Sequence, residues 1–386
     1  MNHAHVQFVR TYVVAVAVSV TAVAVFNRLT DPYQIYRVID SPSINDHKDA
    51  GGDRIAKAAM AERGHWYYML LGSSRVQVGF EGDHPVFGED AAYNFGIGGT
   101  GPGEMEAATR LILRSNRTLF TLLVGVDHRW YLEGFRLFGP DYANTILNPA
   151  YSRIEYHMGN MLGMRATEES IDVIKNVLRD EPGRYNRLGR RTHPLKKARQ
   201  SHWQLFRASL NRDAANAPAA YLPSRMVHLE SIIRMCDERG VELHLVFLPQ
   251  HVLSLEQQHR TGQWPAVQRA KRDLTHRVAG YKHRRPSADV TVWDFWRYSK
   301  YTTEPVPPAG DAQALMRWHW ESSHFTKELG DLVLWRIFEG AGPNGEPLDD
   351  LGVRLTPQNI DEQLTELEKA RARFAAEHPQ LMAIFD

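Results

Sequence analysis

Short apolar runs recur along the chain, separated by stretches with helical spacing. Trp66–Leu71 is aromatic and aliphatic throughout and stops at Gly72, Ser73 and Ser74. Ala91–Pro102 (AAYNFGIGGTGP) is a shorter apolar piece that ends in four glycines, and Thr118–Val126 runs into Asp127. Val241–Leu248 and Val290–Phe295 complete the set, the last ending near Asp294. Runs of this length bounded by glycine, proline or polar residues predict buried strands. Between them, Gly103–Asn116, Glu168–Arg179, Met226–Arg239 and Trp264–Ala279 carry apolar residues at helical spacing, and Gly240 suits a C-cap. A further helix is expected from about Thr326, and a last one to Glu377, capped by Thr356 with Pro357 in its first turn. Strands alternating with helices predict an α/β fold whose parallel sheet is covered on both faces.

The longest apolar run lies at the N-terminus. Thr11–Phe26 contains no charge, and Val6–Phe26 is just long enough to cross a bilayer if Arg10 snorkels. The competing reading is a cleavable signal peptide, because Ala22-Val23-Ala24 resembles a cleavage site. A membrane anchor is the favoured expectation. Arg10 and the α-amino group favour a cytoplasmic N-terminus, with the globular part outside the membrane and in the periplasm of a Gram-negative cell. The expected organisation is an anchor over 1–28, a stalk over 29–65, an α/β domain over 66–340 with an insertion at 131–222, and a C-terminal linker and helix over 341–386.

Composition changes little in this picture. The formal net charge is +1, so there is no global field for nucleic acid or another polyanion. Cys236 is the single cysteine, which excludes an intramolecular disulfide and a cysteine-built zinc site. The stretch from Pro182 to Arg212 has no acidic residue and carries Arg184, Arg187, Arg190, Arg191, Lys196, Lys197 and Arg199. It reads as a solvated face of a cap, or as a contact for anionic lipid headgroups or an acidic polysaccharide.

Two polar stretches carry candidate chemistry. Ser73 and Ser74 fall at the carboxyl end of the first strand, where open α/β sheets place ligands. The glycine loop after the second strand offers N–H groups to an anion, but it lacks the GxGxxG order and is no P-loop. Trp318–Gly330 (WHWESSHFTKELG) places Glu321 three residues before His324, close enough in a tight turn for the carboxylate to orient the imidazole. A histidine so held can deprotonate a serine. A metal site is the other reading, with His319, His128 or His251 as the third ligand, although no HExxH is present.

Taken in order, Gly72-Ser73-Ser74, Asn94 to Gly99 and Glu321-Ser322-Ser323-His324 resemble the motifs of the SGNH (GDSL-like) hydrolases. The resemblance covers roughly 66–338, without the insertion. It implies a flavodoxin-like three-layer α/β/α sandwich and no metal or organic cofactor. It implies Ser74 as nucleophile, His324 as base, Glu321 as its orienting carboxylate, and Ser74 and Gly99 as oxyanion-hole donors. Asn94 is then a supporting residue. More narrowly, the anchor, LGSSR and SSHF resemble membrane-tethered proteins of bacterial envelope polysaccharide O-acylation systems. That implies an acylated glycan or other ester as substrate and polysaccharide-assembly proteins as partners. The alternative is an inactive SGNH-fold module that binds glycan or scaffolds an export complex.

Three positions depart from the family pattern: Ser73 for Asp, Glu321 for Asp, and Asp127 where the family has a donor Asn. An ionised Asp127 cannot donate a hydrogen bond. Pairing with Arg75 is the expected alternative, with Asp127 and Arg75 in a supporting role.

Overall fold

The computed structural model describes residues 3–50, 54–192, 200–215 and 220–385. In chain order the helices are α1 (His3–Thr30), α2 (Pro42–Asn45), α3 (Arg54–Arg63), α4 (Ser74–Gly79), α5 (Pro102–Ser115), α6 (Arg153–Leu162) and α7 (Met164–Arg179). They continue with α8 (His202–Ala215), α9 (Val227–Arg239), α10 (Val252–Arg260), α11 (Trp264–Arg284), α12 (Lys327–Phe338), α13 (Ile360–Glu377) and α14 (Pro379–Met382). The strands are β1 (Tyr68–Gly72), β2 (Ala92–Gly96), β3 (Thr121–Val126), β4 (Glu242–Phe247), β5 (Val290–Asp294) and β6 (Val353–Arg354).

The strands form one sheet in the order β2-β1-β3-β4-β5-β6, parallel except for β6. Leu71 stands opposite both Phe95 and Val124, and Val124 opposite Leu245. The five parallel strands therefore end side by side. Their side chains alternate between two cores, which is why they read as unbroken apolar runs. Met69, Leu71, Leu122, Val124, Leu243 and Leu245 face one core with α3, α5, α9, α11 and α13. Leu70, Leu123 and Val246 face the other with Val76 of α4 and Leu329, Val333 and Leu334 of α12.

Three expectations need correction. Residues 29–65 are not a stalk. Tyr33 and Ile35 are buried, and α3 packs Ala56, Ala58, Ala59 and Ala61 against the sheet domain. Small side chains let this helix approach closely, so it shows no conventional amphipathic stripe. The segment after 340, expected as a linker, also carries a strand, because β6 pairs antiparallel with Trp293 and Asp294. The helix expected to end at Glu377 is α13, which starts at Ile360 with Asn359 at the N-cap position; Thr356 and Pro357 lie before it, and the short α14 follows.

The insertion holds α6, α7 and α8. Its loop at 184–192 runs along the outer edge of β2, where Asn94 N–H donates to Leu188 O at 2.8 Å, and reaches α4, where Arg191 N–H donates to Gln77 O at 2.8 Å. The fully buried Lys57 ammonium donates to Asn94 O and Gly189 O, and burial pushes its pKa well down. The sheet edge is thereby covered.

Helix α1 is long and apolar enough to cross a membrane, and none of its apolar window is buried. At 1.5 Å per residue its 28 residues measure about 42 Å.

Candidate active site

The turn after β1 sets the site. A Cβ on Gly72 would stand 2.5 Å from Val76 Cγ2, so only glycine lets the chain fold back into α4 here. Ser74 is the first residue of α4, at the carboxyl end of the central strands and partly accessible. Its Oγ lies 2.7 Å from His324 Nε2. His324 Nδ1 meets Glu321 Oε1 in a very short contact. The Nδ1–H donates to the carboxylate, which leaves Nε2 to accept the serine proton.

Glu321 folds back onto its own turn. Oε1 also accepts His324 N–H at 3.0 Å and Ser323 Oγ at 2.9 Å, and Oε2 accepts Ser323 N–H at 3.1 Å. Burial alone would raise its pKa. The charge of His324 and hydrogen bonds from His324, Ser209 and Ser323 outweigh burial and hold it below the ordinary carboxylate range.

Arg75, the residue after Ser74, is a buried junction. Its Nη1 donates to Asp127 Oδ2 at 2.7 Å, its Nη2 to Gln250 Oε1 at 3.1 Å, and its Nε to Ser323 O at 3.0 Å. Asp127 also accepts from Arg129, whose N–H lies 3.1 Å from Oδ1 and whose Nη2 lies 3.1 Å from Oδ2. Burial opposes ionisation of Asp127, but the two guanidinium groups overcome it and hold the carboxyl well below its usual value. Asp127 is thus a paired strut beside the Ser74 turn. Asn94 is a brace: its Nδ2 donates to Val76 O at 2.7 Å within α4 and to Phe80 O at 2.8 Å just past its end.

The glycine loop lies alongside. A Cβ on Gly98 would come within 3.9 Å of Ser74 Cβ, and Gly99 adopts φ +69°. The loop is held from behind by two residues that the sequence did not single out. Arg54 Nη2 donates to Gly98 O at 3.1 Å, and Arg54 Nε donates to the buried Glu104 Oε1 at 2.6 Å. Among the described residues no peptide bond is cis, so the Gly98 carbonyl and the Gly99 N–H point opposite ways. Holding the carbonyl inward turns the Gly99 N–H outward. Glu104 reads in sequence as an ordinary first-turn acid, and Arg54 has no local signal.

Helix α8 braces the histidine turn. His202 Nδ1 lies 3.2 Å from Trp320 O, Met316 N–H donates to His202 Nε2 at 3.3 Å, and Ser322 Oγ donates to Ser209 Oγ at 2.9 Å. The other histidines do not join His324. His128 stacks on Trp296 with ring centroids 4.5 Å apart, and neither of its nitrogens has a hydrogen-bond partner. His251 meets His319 edge-on and binds Glu304 O through Nε2 at 2.7 Å. Among the described residues, no group of three His, Cys, Asp or Glu converges as metal ligands would. In the basic stretch, Arg184, Arg187 and Arg190 pair with Asp49, Asp46 and Glu81, while Lys196, Lys197 and Arg199 lie outside the described residues.

Searched against models of known protein families and against curated proteins, the chain matches none.

Proposed function

We propose that the chain is a membrane-anchored, extracytoplasmic serine esterase or O-acyltransferase of SGNH type, acting on an acylated envelope glycan. The observation that carries this reading is the unbroken hydrogen-bond chain from Ser74 through His324 to Glu321 at the carboxyl ends of the strands. The 2-1-3-4-5 order of the parallel strands supports a flavodoxin-like sandwich. The exposed α1 supports a single-pass anchor, with the catalytic part on the periplasmic side.

In this mechanism Ser74 Oγ attacks the ester carbonyl carbon while its proton passes to His324 Nε2. The imidazolium is stabilised by Glu321. The oxyanion takes the N–H groups of Ser74, which has no intrahelical acceptor at the first position of α4, and of Gly99. As the tetrahedral intermediate collapses, the C–O bond to the leaving alcohol breaks and His324 returns the proton to that oxygen. Water or a sugar hydroxyl then attacks the acyl-serine by the same route in reverse. None of these steps calls on a cofactor.

A fluorophosphonate probe tests the reading on the full-length protein in detergent. Stoichiometric labelling is expected, abolished by Ser74→Ala together with turnover of p-nitrophenyl acetate. A folded protein that resists labelling and hydrolyses no ester would reject the enzyme in favour of a glycan-binding or scaffolding module.

A further inference from the structure

The insertion presents an apolar surface that the fold does not use. In α7 the residues facing the protein are Ala166, Ser170 and Val173. Met164, Ile171, Ile174 and Leu178, at helical spacings of seven, three and four, form a second stripe turned to solvent, with Met164 79% and Leu178 81% exposed. Helix α6 adds Ile154, 76% exposed, and Met158 one turn later. A soluble α-hairpin needs one apolar stripe, and this one has two.

Its position relates the second stripe to α1. Asn27 Nδ2 donates to Met161 O at 2.9 Å and to Thr167 Oγ1 at 2.8 Å, and Thr30 Oγ1 donates to Ser170 Oγ at 2.7 Å. The end of α6 and the start of α7 are thus fastened to α1 just where its apolar run gives way to polar residues. Val6–Phe26 is 21 residues long, or about 31 Å of helix, which matches a hydrocarbon core of about 30 Å. Asn27 then falls at the headgroup level, and so does the junction of α6 and α7.

We propose that the α6–α7 hairpin is an interfacial membrane element that lays Ile154, Met158, Met164, Ile171, Ile174 and Leu178 into the outer boundary of the bilayer beside α1. It rests on the reading of α1 as a membrane-spanning helix. The charged residues of α7 balance, with Arg165, Lys175 and Arg179 against Glu168, Glu169 and Asp172. Apolar burial, not attraction to anionic lipid, therefore holds the hairpin down, and zwitterionic lipid suffices. Together, anchor and hairpin fix the orientation of the globular part above the bilayer, which a single helix would leave free to swivel.

The test uses full-length protein in phosphatidylcholine vesicles, with a polarity-sensitive fluorophore on one introduced cysteine at a time. The native Cys236 is buried, and the parent protein serves as its control. Val18→Cys reports on the anchor, Met164→Cys, Ile171→Cys and Leu178→Cys on the hairpin, and Asp172→Cys on the polar side of α7. Lipids brominated deep in the chain should quench Val18→Cys. Lipids brominated near the headgroup should quench the three hairpin positions and leave Asp172→Cys unchanged. Quenching at Val18→Cys with none at the hairpin would overturn this proposal and leave the anchor standing. An apolar environment at the hairpin that no lipid quenches would assign the face to a second copy or a protein partner, and would equally overturn it. Absence of quenching at Val18→Cys would reject the anchor, and the hairpin proposal with it.

Discussion

The Arg75 guanidinium reaches the end of β3 through Asp127, the segment after β4 through Gln250, and the histidine turn through Ser323 O. It therefore fixes the Ser74 turn relative to the His324 turn, and Asp127 holds the guanidinium in place. Asp127→Asn removes the compensating charge beside both Arg75 and Arg129. Because breaking a buried pair leaves the remaining charge uncompensated, the expected cost is about 3 kcal/mol. Turnover should fall as well, read by urea titration and by ester hydrolysis. A gain in turnover at unchanged stability would show that Asp127 opposes the oxyanion instead. Arg54→Lys probes the glycine loop. A lysine keeps the charge beside Glu104 but cannot fork to Gly98 O as well. With the Gly99 N–H misaimed, kcat should drop about tenfold, less than the loss of a whole oxyanion donor, with KM and stability little changed. The roles of Ser74, His324 and Glu321 could be proposed from sequence because each motif is local and its chemistry needs specific residue types. Arg54 and Glu104 stayed invisible because they are fifty residues apart and each is ordinary in its own neighbourhood.

At the level of elements, the buried histidines couple the fold to pH. His128, beside Trp296 in the turn after β3, and His251, just before α10, are both fully buried, and burial lowers each to about 3. An unfolded histidine titrates near 6.5, so between about pH 6.5 and 3 the unfolded chain holds protons that these side chains refuse in the fold. Stability is fully present above pH 6.5. Below it, each of the two costs up to about 1.4 kcal/mol per pH unit. The carboxylates Asp127 and Glu321 add their losses only below about pH 4, where their unfolded forms protonate. His128→Phe, which keeps a ring against Trp296, should flatten the acid limb by about one proton in urea midpoints measured across that range. An unchanged slope would show that His128 is not held neutral. Elements with strong periodicity, such as β1, β3, β4 and α9, were legible in the sequence. Two-residue β6 carries no pattern at all, and α3 hides its buried face behind alanines on several sides.

On the scale of the whole molecule, the reactive pair is drawn from opposite ends of the chain. Ser74 and His324 are 250 residues apart, so their contact closes a long loop of chain. Contacts of such separation form late, because loop closure must be met before they return anything. A chain emerging N-terminus first delivers α1 and the serine long before it delivers the imidazole, and until then the serine is an ordinary alcohol. On the proposed reading the order of synthesis works as a timer: the Ser74–His324 pair cannot form until the chain has emerged past His324. On refolding from urea, labelling competence should return with the slowest phase, after the helical signal has recovered. Labelling that kept pace with the earliest helix formation would mean that the two ends find each other first.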